Sequence, residues 1–82
     1  MEQVARTAKQ LANLLRQRRA ELGLTQAELS SRIAFRQSTV SALETSANVR
    51  TATLLSTLAA LDLEMVIRPR TKTSAKDIEA LF

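Results

Sequence analysis

The stretch "LGLTQAEL", Leu22 to Leu29, does most to constrain the fold. It holds Gly23, the single glycine of the chain, followed two residues later by Thr25 and three residues after that by Glu28. Glycine supplies the left-handed residue that ends a helix. Thr-x-x-Glu is a capping box, in which hydroxyl and carboxylate each satisfy a backbone N–H at a helix start. One helix therefore has to stop and another begin within a few residues.

Apolar periodicity fills in the rest. Val4, Ala8, Leu11, Leu15 and Leu22 form the stripe of an amphipathic first helix, with Thr7 as a cap. A second helix is expected from about Gln26 to Ile33, burying Leu29 and Ile33, with the small Ser30 at a close crossing. A third runs from about Gln37 to Glu44 and buries Val40 and Leu43. After the polar loop "TSANVR", a fourth helix begins near Thr51 and carries Leu54, Leu55, Leu58 and Leu61 on one face. The arm before Ala8 is read as an extra helical turn. The period then changes. In "LDLEMVIRPR", Leu63, Met65 and Ile67 alternate with Glu64, Val66 and Arg68, which is a strand pattern closed by Pro69. A lone strand is not stable, so its expected partner is the same strand of a second copy.

The fold class is thus mostly α: four to five helices followed by one C-terminal β-strand that pairs in a homodimer. Residues 1–62 form the helical domain, 63–70 the dimerising strand, and 71–82 a polar, flexible tail. Three apolar residues, Ile78, Leu81 and Phe82, close that tail at helical spacing and are read as a docking segment.

Composition narrows the function. At 82 residues the chain is one domain with a modest core,. It has no cysteine, hence no disulfide framework and no thiolate metal site,. No metal or other cofactor is expected. No apolar stretch has the length of a signal core or a membrane span, so a soluble, cytoplasmic protein is expected. There is no histidine to activate a serine and no glycine-rich phosphate loop. Asp77 and Glu79 read as a solvated pair, so no enzyme is expected. The net charge is +4, and nine of the twelve cations are arginine. Arginine suits bidentate phosphate recognition, which directs attention to nucleic acid.

The third helix carries Gln37, Ser38, Thr39 and Ser41, although Ser and Thr are mediocre helix formers. Short polar side chains on a leading face suit a helix that must enter a groove about 12 Å wide.

Leu15 to Thr45 resembles the lambda-repressor-like, or XRE, helix-turn-helix family: Arg19, Leu24-Thr25-Gln26, Glu28-Leu29, the apolar Ile33 and Phe35, and Glu44 agree in spacing. With "ALDLEMVIRPR" after the fourth helix, the chain is most similar to the HipB-type antitoxins. This resemblance implies a dimeric repressor that binds double-stranded operator DNA and a HipA-like kinase toxin. An XRE repressor without a toxin, or an interaction module on the same fold, is the alternative. The second helix of such a motif enters the major groove. Gln37 would then read adenine bidentately, Ser38 and Ser41 would face bases, and Thr39 would touch backbone or a thymine methyl. Gln26 resembles the family's phosphate-clamping glutamine. Asn48 lies in the loop where phosphates pass. Arg19 and Glu44 look like the family's ion pair between the first and third helices. Two positions depart from the pattern. Ala34 stands where a glycine is common, and Arg36 stands where a short polar cap is usual. Arg36 cannot cap a helix but can reach a phosphate or a guanine.

Overall fold

The structure is a computed structural model and describes residues 2–70. Four helices follow one another: α1 (Ala8–Glu21), α2 (Gln26–Ile33), α3 (Gln37–Ser46) and α4 (Thr51–Ala60). The Thr7 hydroxyl accepts from the Gln10 N–H at 3.0 Å and starts α1. Thr25 and Glu28 form the capping box of α2: Glu28 N–H donates to the Thr25 hydroxyl at 3.0 Å, and Thr25 N–H donates to the Glu28 carboxylate at 3.1 Å.

All four helices end on a residue with positive φ. Gly23 (φ 70°) serves α1, Ala34 (φ 59°) α2, Ala47 (φ 53°) α3 and Asp62 (φ 57°) α4. Three of these ends are Schellman motifs. Leu24 N–H donates to the Arg19 carbonyl, Phe35 N–H to the Ser30 carbonyl, and Leu63 N–H to the Leu58 carbonyl, at 3.1, 3.1 and 2.8 Å. The turn at Ala34 thus has the backbone form that a glycine would take. It keeps the left-handed form, and alanine bears a cost of order 1 kcal/mol there.

The core is made of Leu15, Leu24, Leu29, Ile33, Val40, Leu43, Leu58 and Leu61. Helix α1 packs on α3, and α2 packs on both α3 and α4. Thr53 and Thr57 are also buried; the Thr57 hydroxyl donates to the Thr53 carbonyl at 2.8 Å, so its polar atom is satisfied inside the helix,. Arg18 reaches across the fold, and its Nε donates to the Leu61 carbonyl at the end of α4, 3.0 Å away.

The described residues correct several expectations. The apolar stripe of α1 is narrower than its period suggests. Ala12 and Leu15 are buried and Leu11 is half-buried, but Val4, Ala8 and Leu22 are exposed. In α4, Leu55 faces solvent while Leu58, and Leu61 just after the helix, are buried. The arm at residues 2–6 carries no helical turn, so the described residues hold four helices, within the four to five expected. The strand expected over 63–70 is a different case, because its partner is a second copy: in the single chain these residues lie outside any helix or ladder, and Met65, Val66 and Ile67 are all exposed. A ladder needs a neighbouring strand, and the single chain offers none among the described residues. The arm and this segment run together, with an Arg68–Glu2 ion pair at 2.9 Å and a shallow apolar hollow between them and α1, lined by Leu11, Leu14, Leu58, Leu63 and Met65. The tail residues Ile78, Leu81 and Phe82, and the acids Asp77 and Glu79, lie outside the described residues.

Candidate nucleic-acid interface

Three residues, Ala34 to Arg36, connect α2 to α3. The left-handed Ala34 turns the chain, and the extended Arg36 (φ −74°, ψ 152°) then starts α3. Helix α3 is anchored on one side only. Val40, Leu43 and Glu44 are buried; Gln37, Ser38, Ser41 and Thr45 are exposed and Thr39 is half-buried. Residues 37, 41 and 45 follow one another at four-residue spacing, so they line one face, away from the core. That face offers an amide, which can donate and accept, and hydroxyls that can do either. The Thr45 hydroxyl is turned back onto the Ser41 carbonyl at 2.8 Å.

Arg36 makes no side-chain capping bond, and it is exposed. The first N–H groups of α3 thus lack a side-chain acceptor and point the positive end of the helix outward. The same arrangement occurs at α4, where Arg50 occupies the N-cap, also without a side-chain bond. Nothing in the family pattern points to Arg50. The signal was available, since two helices in one chain start behind an arginine, and a cation beside free N-terminal N–H groups favours an anion. Asn48 and Ser46 are exposed at and after the end of α3. Phe35, in the turn, is also exposed.

At α2 the electrostatics differ. Glu28 closes the capping box, and its carboxyl is held below the usual carboxylate range by the Thr25 N–H, then by the Thr25 hydroxyl, with a smaller contribution from Arg32. Gln26, the first residue of α2, is half-buried, and its Nε2 donates to Glu44 Oε1 at 3.2 Å.

Glu44 is the meeting point of three helices. Arg19 of α1 donates to it twice, Nε to Oε2 at 2.6 Å and Nη2 to Oε1 at 3.0 Å. The third Arg19 donor, Nη1, reaches the Leu24 carbonyl at 2.6 Å. The Glu44 side chain is 5% exposed and that of Arg19 16%. The hydrogen bonds from Arg19 to Glu44, with the carboxylate's charge, raise the Arg19 pKa further. No buried side-chain polar atom among the described residues lacks a partner, as a buried ion pair requires.

The sequence points to Gln26, Arg36, Gln37, Ser38, Thr39, Ser41 and Asn48 for DNA, and to Arg19 with Glu44 for structure. The fold gathers Arg36, Gln37, Ser38, Thr39 and Ser41 at and after the start of α3 and brings Gln26 against Glu44. Among the described residues no cluster of acidic side chains could hold a metal ion, and no helix is long and apolar enough to cross a membrane.

A family model described as a helix-turn-helix domain matches residues 10–65. Among solved structures, the chain is similar to HipB in a HipB–O2 20mer complex, at 32% identity and a TM-score of 0.79, over 87% of this chain and 100% of that one. It is similar in the same way to a chain of a HipA-HipB-O2-O3 complex, at 31% identity and a TM-score of 0.78, over 85% of this chain and 100% of that one. A HipB–O4 20mer complex matches with the same identity, TM-score and coverage. No curated protein sequence matches. With the two helices, their connecting turn and the surrounding four-helix frame all accounted for, the chain belongs to the XRE-like helix-turn-helix family and has a HipB-like DNA-binding fold.

Proposed function

We propose that this chain is a sequence-specific transcriptional repressor that acts as a homodimer on double-stranded operator DNA, and that it is the antitoxin of a HipA-like kinase whose operon it represses. The DNA reading is carried by the outward face of α3, where Gln37, Ser38 and Ser41 stand exposed while Val40, Leu43 and Glu44 are buried. Gln37 reads adenine, Ser38 and Ser41 meet base edges, and Thr39 meets the backbone or a thymine methyl. Arg36 meets a phosphate or a guanine; Gln26 and Asn48 meet phosphates. The kinase reading is supported by likeness to a chain in a HipA-HipB-O2-O3 complex. Such a role is exercised in the cytoplasm, without catalysis.

The division of labour follows the chain. Residues 1–62 bind DNA, 63–70 dimerise, and 71–82 form the tail whose Ile78, Leu81 and Phe82 dock on the kinase. Dimerisation through Leu63, Glu64, Met65, Val66, Ile67 and Arg68 is supported by exposure: Met65, Val66 and Ile67 present 48, 69 and 92% of their surface to water in the single chain. A two-fold mate pairing antiparallel would cover that surface.

Co-purification from the native operon, with duplex titration of the same preparation, tests this. Recovery of a kinase together with salt-sensitive duplex binding is expected. Duplex binding with no kinase would leave a repressor without a toxin, and failure to bind any duplex would leave an interaction module. Deleting residues 77–82 should weaken kinase binding and spare DNA affinity; unchanged kinase binding removes the docking role of the tail.

A further inference from the structure

We propose that Glu44 is a positioning residue for DNA binding: its carboxylate fixes the side-chain amide of Gln26, so that the remaining Gln26 N–H is held ready for a DNA phosphate. This rests on the DNA reading above.

The inference starts from what a carboxylate can do. Ionised Glu44 accepts hydrogen bonds and cannot donate. Only the nitrogen end of the Gln26 amide can therefore face it, and the 3.2 Å contact is made by Nε2. One of the two N–H groups is used in that bond. The second N–H and the carbonyl are left for other partners, in an orientation the carboxylate decides. A phosphate oxygen is an acceptor, so it takes the second N–H.

The anchor is rigid. Glu44 Oε1 receives both Gln26 Nε2 and Arg19 Nη2, while Oε2 receives Arg19 Nε. The Glu44 side chain is 5% exposed, and Arg19 is itself held by the Leu24 carbonyl. Gln26 is the first residue of α2, where the N–H groups of a helix start face outward,. A glutamine free in water loses rotamer freedom when it binds; this one has already lost it. The ion pair that joins α1 to α3 therefore also sets the hand with which α2 grips the DNA backbone, and its role exceeds stability.

The test separates grip from fold. The probe is a mixed-sequence duplex at low salt, because a phosphate contact does not depend on sequence. Binding is measured for the wild type, for Gln26→Ala, for the apolar pair Arg19→Met/Glu44→Leu, and for the triple variant. Gln26→Ala should weaken binding roughly tenfold, the loss of a hydrogen bond to a charged group. The apolar pair keeps the interface filled, so folding is checked separately by circular dichroism. It should weaken binding about two- to tenfold, the cost of ordering one freed side chain, and this loss should vanish in the Gln26→Ala background. A purely structural ion pair would give a folded apolar variant that binds like the wild type, or an equal loss in both backgrounds; either overturns the proposal. Nitrogen-15 relaxation of the Gln26 side chain in the unmodified, DNA-free protein decides the matter even where the apolar pair fails to fold. An amide as rigid as the α2 backbone is expected, and one as mobile as an exposed glutamine refutes it. A wild type that binds no duplex would refute the DNA reading, and this proposal with it; a wild type that binds while Gln26→Ala binds equally well would refute this proposal alone.

Discussion

Arg19→Met removes the donor side of the Arg19–Glu44 pair and isolates its energetic role. Arg19 supplies three hydrogen bonds, two to Glu44 and one to the Leu24 carbonyl. After the substitution a carboxylate whose side chain is 5% exposed retains Gln26 alone among its present partners, and the Leu24 carbonyl loses its side-chain donor. Stranding one member of a buried pair costs ~3–5 kcal/mol. Arg19 keeps 16% exposure, so water can partly replace it and the lower end, about 3 kcal/mol, applies. A domain of 82 residues is stable by about 4–12 kcal/mol at the usual ~0.05–0.15 kcal/mol per residue. The single substitution therefore removes a quarter to three-quarters of the total. Replacing both partners, Arg19→Met with Glu44→Leu, leaves no buried charge unpaired, although the Leu24 carbonyl and the Gln26 amide each lose a partner, and should recover most of the loss,. Urea unfolding followed by circular dichroism measures both. The protomer concentration must be held fixed, because the stability of the proposed dimer depends on it. A loss below about 1 kcal/mol for Arg19→Met would place the pair with exposed salt bridges, and additive losses in the double variant would show that the two side chains are not coupled.

Four further outcomes are expected. Ala34→Gly relieves a left-handed alanine and should stabilise the domain by about 1 kcal/mol, a rise of ~4–8 °C in melting temperature; an unchanged melting temperature would show that the turn bears no strain. Gln37→Ala should cost ~1–3 kcal/mol on the operator and little on random duplex, whereas Arg36→Ala should either lower the salt slope by about one per site or lose affinity at a single base position; titrations on both DNAs at several salt concentrations decide, and equal losses on both for Gln37→Ala would end its role as a reader. Val66→Pro removes a ladder donor and should give a monomer in sedimentation, while a dimer unchanged by it places the interface elsewhere. The carboxyl of Glu28 titrates lower in the folded protein than in the unfolded chain, so its contribution is present above the unfolded value and is lost as pH falls through the folded one; the melting difference between wild type and Glu28→Gln should accordingly shrink as pH falls from neutral through the folded carboxyl's titration, and a constant difference would exclude the linkage.

The parts of this fold legible in the sequence are those decided within one helical turn. Thr25 and Glu28 are three residues apart, so their mutual capping depends on nothing else in the chain, and α2 begins where that spacing places it,. Gly23 ends α1 for an equally local reason,. The apolar period located α4, and the crowd of short polar side chains on α3 marked a face that the core does not use.

Tertiary structure decided the rest, because it depends on groups distant in the chain. One glycine is visible in the sequence, yet four helices end left-handed; at Ala34 and Ala47 the turn is imposed on residues that do not favour it, and at Asp62 it falls on a residue that tolerates it,. Period alone put Leu22 and Leu55 in the core. Both face water, because the neighbouring helices cover a narrower strip of α1 and α4 than the pattern spans. Thr53 and Thr57 are buried instead; a hydroxyl that bonds within its own helix carries no unpaired polar atom into the core,. Arg18 finds the Leu61 carbonyl across 43 residues. Gln26 meets Glu44 across 18 residues, and only the packing of α2 against α3 could turn a helix-start glutamine and a buried acid into one device, since no local rule relates residues that far apart.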